Sequence, residues 1–293
     1  MTAPFFSVVV PTHRRIPRLC ACLDALAALD YPTERFEVIV VNDGCEGLSA
    51  DQLAAFRGRL QLTSVDQPWG GPAAARNTGV SRARGGYIVF TDDDCTPAPD
   101  WLRAMESGVR HHPDALIGGR AINGLPDDLC ATASQMLVDY LYLYYQDGTA
   151  RGPRFFTSNN MCVPRSSLGD AGGFDESFTL AAGEDREFCD RWASSGRPLA
   201  YQPDAIVHHQ HAMTLRSFTR QHLNYGRGAR AFHQARARRA SGSMTVEPLS
   251  FYVRLVAFPL TQHSGPRAPA LVALLVWSQV MNVAGYFLAS RQS

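Results

Sequence analysis

The 293-residue sequence lacks an excess of either charge sign, with 28 lysines and arginines against 27 aspartates and glutamates. That balance gives no pull toward a polyanion, so nucleic acid is not an expected partner. Two nucleotide motifs are missing as well. The first apolar run, Ser7-Val8-Val9-Val10, leads into Pro11-Thr12-His13-Arg14-Arg15 rather than a G-x-G-x-x-G turn, and Gly70-Gly71 has no P-loop lysine after it. A dinucleotide dehydrogenase and a P-loop ATPase are set aside on those grounds. The seven cysteines form no C-x-x-C pair and no even ladder, which fits a reducing cytosol rather than a stapled secreted domain. Cys20-Ala-Cys22 is too closely spaced for a usual zinc pair, and Cys22 falls on an apolar helix face, so no metal is assigned to cysteine. The apolar stretch 5–10 is too short for a signal core and runs into Pro11, so the N-terminus is expected to stay inside the cell.

What is present reads as an α/β alternation. Residues 7–10 and 36–41 are continuous β-branched runs, as in parallel strands covered on both faces, and between them Leu19, Cys22, Leu23, Leu26 and Leu29 recur at helical spacing. Further elements follow as a helix over 48–56, a strand over 60–65 and a helix from Pro72 to about 83. Gly85-Gly86 then turns the chain into Tyr87-Ile88-Val89-Phe90, which ends in Thr91-Asp92-Asp93-Asp94. A helix beginning near residue 99, a strand over 115–122, helices over 131–145, 184–193 and 215–237, and an extended segment over 201–207 complete the reading; 155–178 is rich in Gly, Asn and Ser and reads as a substrate-side lobe.

The triplet Asp92, Asp93 and Asp94 follows a buried-type strand, at the carboxyl edge where open α/β sheets bind ligands. Carboxylates gathered there repel one another and call for a hard divalent cation, which leaves positions open for phosphate oxygens. An exposed acidic turn accounts for the triplet alone equally well. Asn42-Asp43-Gly44 ends an earlier strand, so Asp43 is positioned either to accept from a nucleobase N–H or to close a simple Asx turn.

The order Pro11-Thr12-His13-Arg14, Asn42-Asp43-Gly44, Ala75-Arg76-Asn77-Thr78-Gly79 and Thr91-Asp92-Asp93-Asp94 resembles family 2 glycosyltransferases of the GT-A fold. Asn159-Asn160-Met161, Gly172-Gly173-Phe174-Asp175-Glu176 and Gly183-Glu184-Asp185-Arg186-Glu187-Phe188 are similar to that family's acceptor-side segments, and the resemblance extends over about 6–228. It implies a Rossmann-type, mostly parallel sheet flanked by helices, in a domain over 1–228 with a nucleotide-sugar lobe (1–115) and an acceptor lobe (116–228). A C-terminal helical segment over 229–293 would follow. The implied chemistry is inverting transfer from a nucleoside diphosphate sugar, a UDP-sugar as first choice, to a hydroxyl of a glycan, a lipid-linked molecule or a small molecule. Pro11, Thr12, Arg14 and Asp43 would line the nucleotide pocket; Asp92 and Asp93 would reach the donor, as would Arg76, for which a structural salt bridge is the equal alternative. Asp94, with Asp92, would bind Mn2+ or Mg2+. Either Asp92/Asp94 or Asp93/Asp94 is the working pair. His209 of the cluster His208-His209-Gln210-His211 is the candidate third ligand, a solvated cluster or a diphosphate contact being the alternatives. Asp185 takes the place of the general base that single displacement requires, with Glu184 ordering the site. Acids in a first helical turn are also favoured by the macrodipole alone.

The Gln-x-x-Arg-Trp signature of processive synthases is missing, since Arg191-Trp192 lies inside the 184–193 helix, so addition of one or a few sugars is expected. A nucleotidyltransferase and a non-catalytic sugar-nucleotide or glycan-binding subunit are the rival readings. Residues 270–289 have the length of a membrane span but carry Ser278, Gln279 and Asn282. With the apolar 250–260 stretch and the arginines between 215 and 239, they imply peripheral contact with the inner face of the membrane, or packing on the catalytic domain or on a second copy of the chain.

Overall fold

The structure, a computed structural model, describes residues 5–44, 48, 50–146, 155–239 and 247–289; Cys45 and residue 49 of the expected 48–56 helix lie outside them. Along the chain the elements are β1 (Phe6–Thr12), α1 (Ile16–Ala27), β2 (Phe36–Asp43), α2 (Ala50–Arg57), β3 (Leu62–Gln67), α3 (Gly71–Arg82), β4 (Tyr87–Phe90), β5 (Cys95–Pro97), α4 (Trp101–His111) and β6 (Leu116–Asn123). They continue with α5 (Leu129–Gln146), β7 (Met161–Pro164), α6 (Arg165–Ala171), α7 (Glu184–Ser194), β8 (Leu199–His209), α8 (Leu215–Arg238), α9 (Leu249–Gln262) and α10 (Arg267–Ala289).

Two compact units result, Met1–Ile122 with Pro153–His209, and Asn123–Gly152 with Gln210–Ser293. The first holds an eight-stranded sheet in the order β3-β2-β1-β4-β7-β6-β8-β5. β3, β2, β1 and β4 are parallel, Val8 lying beside Val38 and Val89, while β7 runs antiparallel to β4 and β6, and β5 antiparallel to β8. Every residue of β2 is buried, as a strand covered on both faces requires. Leu19, Cys22, Leu23 and Leu26 of α1 enter the main core beside Phe6, Phe36 and Trp101, so Cys22 is packing, as its helical position indicated. On the other side α3 comes so close to β1 that a methyl group on Gly79 would collide with Val9. Asn160, fully buried, accepts from Trp101 Nε1 (2.9 Å) and donates to the carbonyls of Arg120 (3.0 Å) and Ala205 (2.8 Å), tying α4, β6 and β8 together beneath the site.

The segment read as a substrate-side lobe, 155–178, contains β7, a strand not expected from sequence, which sits between β4 and β6 in the sheet. Its four residues are all buried but too few to display a period.

The second unit packs α5, α8, α9 and α10. Leu137 and Tyr140 of α5 meet Phe251 and Leu255 of α9 and Leu275 of α10; Ala133 and Met136 meet Phe218 of α8 and Leu271 of α10. Because α5 buries its apolar face in this way, it groups with the C-terminal helices, and residue 228 falls inside α8, so the units differ from the expected division at 228. α8 and α10 cross closely at Gly226 and Gly285, where an added methyl would strike the carbonyls of Asn282 and Leu223. Val276, Val280, Val283 and Phe287, at helical spacing on α10, are exposed; the helix is long and apolar enough to cross a membrane, with a mean hydropathy of 1.7.

Candidate active site

The carboxyl ends of β1, β2 and β4 carry Thr12, Asp43 and the triplet Asp92-Asp93-Asp94, and the parallel register brings them to one edge. The three aspartates take three different directions. Asp93, 2% exposed, accepts from Thr12 Oγ1 at 2.7 Å, and burial pushes its carboxyl up to about 6, with Arg15 pulling the other way. Asp92 faces Arg76 Nη2 at 2.8 Å. Asp94 faces outward from β4 toward α1 and β8: its Oδ2 accepts from Arg15 Nη1 at 2.6 Å and Arg18 Nη1 at 3.3 Å, and its Oδ1 lies 3.3 Å from His209 Nε2.

His209 arrives there because β5, only three residues long, pairs with the end of β8 and sets Cys95 opposite His209. Ligand atoms of Asp94, Cys95 and His209 therefore lie within 4.8 Å of one another. Burial, then the charges of Asp94 and Asp92, push the Cys95 thiol up, so it lines the cluster as a neutral group. The Asp94 carboxylate suits a hard cation such as Mn2+ or Mg2+, and His209 beside it is a less usual ligand for such ions, the remaining positions going to oxygens from outside the chain.

Arg76 joins the triplet to a distant part of the sequence. Its guanidinium, 3% exposed, spans Asp92 and, through Nη1, Glu184 Oε1 at 3.1 Å. Phe174 lies under it, 5.4 Å from ring centroid to guanidinium carbon, and is itself packed against Phe90 and Phe188. Asn77, the next residue in the chain, holds the same segment by donating to the Phe174 carbonyl and the Glu176 carboxylate and accepting from Phe174 N–H, each at 2.8 Å. The chain run Ala75-Arg76-Asn77-Thr78-Gly79 is thus a splice between the triplet, the 174–176 segment and β1.

Glu184 and Asp185 open α7 behind Gly183, whose φ of 90° is a left-handed conformation that favours glycine. Burial raises the Glu184 carboxyl, and Asp185's charge adds to this against Arg76. Asp185 is raised by burial as well, held back by the Arg186 N–H it accepts at 2.7 Å and by Arg76. Among the described residues, Glu184 Oε2, Arg76 Nε and Thr91 Oγ1 are buried with no hydrogen-bond partner, and all three sit around the acids.

Asp43 is buried and already engaged: Oδ1 accepts from Gln67 Nε2 (2.9 Å) and Gly70 N–H (2.7 Å), and Oδ2 from Gly71 N–H (2.9 Å). It anchors the N-terminus of α3, and its own carbonyl contacts His13 Nδ1 at 2.6 Å. Pro11 is half-buried in β1, and Arg14 is exposed at a φ of 56°. Arg15 and Arg18 were absent from the residues singled out by sequence; the cue was the arginine pair at helical spacing directly after the first strand.

Residues 7–177 match the family described as Glycosyl transferase family 2. The chain is 26% identical over 211 residues to the glycosyltransferase AglE of Haloferax volcanii, covering 71% of this chain and 67% of that protein. It is 30% identical over 233 residues to the pre-mycofactocin glycosyltransferase of Mycobacterium tuberculosis, covering 76% of this chain and spanning less than half, 46%, of that protein. Among solved structures, the mannosyltransferase PcManGT from Pyrobaculum calidifontis, in complex with GDP-Man and Mn2+, aligns with a TM-score of 0.64 at 20% identity over 97% of this chain and 88% of that one. A TarS structure from S. aureus in complex with UDP-GlcNAc aligns with a TM-score of 0.53 at 18% identity over 98% of this chain and 90% of that one. At those identities the structural likeness speaks to the fold.

Proposed function

This chain belongs to glycosyl transferase family 2, and from that premise we propose that it moves a sugar from a nucleoside diphosphate sugar to an acceptor hydroxyl by a single, inverting displacement. The observation that carries the reading is Arg76, which holds Asp92 and Glu184 to one guanidinium although they stand far apart in the chain, so that one end of the triplet is gathered with the start of α7.

In this reading Asp94 and His209 would hold a divalent cation, Mn2+ or Mg2+, which would supply charge neutralisation to the departing diphosphate, and Asp92, turned to Arg76, would join them only by leaving that guanidinium. The other work falls to the chain. Thr12 and Pro11 border the nucleotide at the end of β1. Asp43 has one free acceptor direction on Oδ2 for a base N–H while it keeps the 70–71 turn in place. Arg14, exposed beside them, meets the nucleotide from solvent. Asp185 accepts the proton of the attacking hydroxyl, and its raised affinity for protons makes it a better base near neutral pH than an ordinary aspartate. Glu184 and Arg76 fix the first turn of α7, so that Asp185 is presented at a constant depth. Asp93, turned inward onto Thr12, sets the geometry of β1 against β4 and reaches the donor less directly than Asp92.

GDP- and UDP-sugars are the donors to try first, UDP-sugars leading. The exposed stripe on α10, with the arginines of α8, supports peripheral association with the cytoplasmic face of a membrane, where a lipid-linked acceptor would be met; a homo-oligomer is the other use for that stripe. The test is release of nucleoside diphosphate from a panel of UDP-, GDP- and dTDP-sugars, with and without Mn2+. Turnover of one donor, lost in Asp94→Asn and on chelation, is expected; uptake of a nucleoside triphosphate with release of pyrophosphate would overturn the assignment.

A further inference from the structure

We infer that Arg15 is a built-in counter-cation of the metal pocket, exchanged for the divalent cation as a diphosphate arrives, so that one side chain couples cation binding to nucleotide binding. The inference rests on the reading of Asp94 as a cation ligand.

Asp94 Oδ2 is taken by two guanidiniums, Arg15 at 2.6 Å and Arg18 at 3.3 Å, and Arg15 also lies 3.3 Å from Asp93 Oδ1. A divalent cation drawn to Asp94 would meet that positive charge a few ångströms away, so cation and guanidinium compete for one carboxylate. The sequence contains no lysine, so its 28 basic residues are all arginines, and Arg15 cannot vacate the site by losing its proton. It must move.

Two arginines at the same cluster differ in whether they can. Arg76 is 3% exposed, stacked on Phe174 and tied to two acids, and leaves only if the core opens. Arg15 is 47% exposed. Its backbone is fixed, since its carbonyl accepts from Arg18 and Leu19 N–H at 2.9 and 3.0 Å as α1 begins, but its side chain is held chiefly by the acids themselves. The guanidinium end of the pair is half-exposed while Asp94 is 7% exposed, so Arg15 is free to swing out only as another cation takes its place on the buried carboxylate. The departing guanidinium needs another anion, and a diphosphate offers paired oxygens that match its two parallel N–H groups. Such a diphosphate would thus draw Arg15 off Asp94 and leave Oδ2 to the cation, with the longer contact of Arg18 at 3.3 Å remaining. By linkage the cation then favours the diphosphate by the same factor.

The experiment is calorimetric titration of Mn2+ alone, and of Mn2+ with saturating UDP or GDP, into wild type, Arg15→Gln, Arg15→Lys and Asp94→Asn, each checked for folding by circular dichroism. Arg15→Gln is expected to bind Mn2+ alone about 10-fold more tightly than wild type, and to gain about 10-fold less from the nucleotide, within the usual range of coupling between sites. Arg15→Lys, which keeps the charge but not the paired N–H groups, is expected to bind Mn2+ alone about as wild type does and to gain less from the nucleotide. A residue that merely shaped α1 would lower every affinity together and leave the coupling unchanged. Mn2+ binding that is lost in Asp94→Asn yet identical in wild type and Arg15→Gln, with the same gain from nucleotide, overturns the inference and leaves the cation site standing. No Mn2+ binding to either protein under any condition overturns the cation site and the inference with it.

Discussion

Methionine in place of Arg76 keeps the length of the side chain and removes its charge, leaving Glu184, 5% exposed, and Asp92, 30% exposed, without the guanidinium between them. Removing one partner of a buried ion pair costs about 3–5 kcal/mol. Two features of the site moderate that figure. Asp92 can turn toward water, and Glu184, already pushed up to about 7 by burial and then by Asp185, can take up a proton. The sign follows from the raised value: the folded state binds a proton that the unfolded chain, with an ordinary glutamate at 4.5, releases. Stability of the variant is therefore greatest below the ordinary glutamate range and is lost as pH rises through 7 and beyond, at up to about 1.4 kcal/mol per pH unit. We expect Arg76→Met to lose about 3 kcal/mol at pH 8 and much less at pH 5. Urea unfolding followed by tryptophan fluorescence reads this directly, because Trp101 and Trp192 are fully buried in the same unit. Adding Glu184→Gln should restore most of the loss at pH 8. An equal loss at both pH values, or no rescue by the second substitution, would refute the idea that Arg76 stabilises the site by compensating buried charge.

Two further predictions concern the helical unit. His222 is fully buried against Phe218 and Tyr225, and burial holds its imidazole down at about 4 against an ordinary 6.5, so the unfolded chain takes up a proton that the folded one refuses. Its contribution is complete above pH 6.5 and falls by up to about 3 kcal/mol as pH drops toward 4, an acid loss that His222→Phe should flatten in denaturant midpoints measured across that window. At the α8–α10 crossing, Gly226→Ala should cost about 1–3 kcal/mol through overpacking against Asn282, despite the better helix propensity of alanine. A thermal midpoint at or above that of wild type would show that the helices do not approach at that glycine.

In the parallel half of the sheet β1, β2 and β4 were legible because they are buried and largely apolar runs, and the four residues of β4 coincide with the run read from sequence, whereas the edge strand β3 is partly exposed and polar. The acid triplet could be placed for the same reason: the strand before it is unambiguous. The strands β5 and β7 were not legible, since three or four residues show no period and their neighbours lie far away in sequence. That gap also hid how His209 reaches Asp94, which depends on β5 pairing with β8. Asp43 could be assigned to a strand end but not to the 70–71 turn it anchors, because the partners are backbone N–H groups that carry no sequence signal. The helix α5 was read correctly as a helix, yet which unit it joins is decided by the faces of α8, α9 and α10, which no local pattern reveals.

The most direct test of the central claim, that the acids gathered around Arg76 form a sugar-transfer centre, is a side-by-side measurement on wild type and Asp185→Asn of sugar transfer to a hydroxyl acceptor and of nucleoside diphosphate binding. The account predicts that transfer falls by at least about 100-fold, as loss of a general base does, while binding stays within a few-fold of wild type. Transfer at the wild-type rate in Asp185→Asn would contradict it.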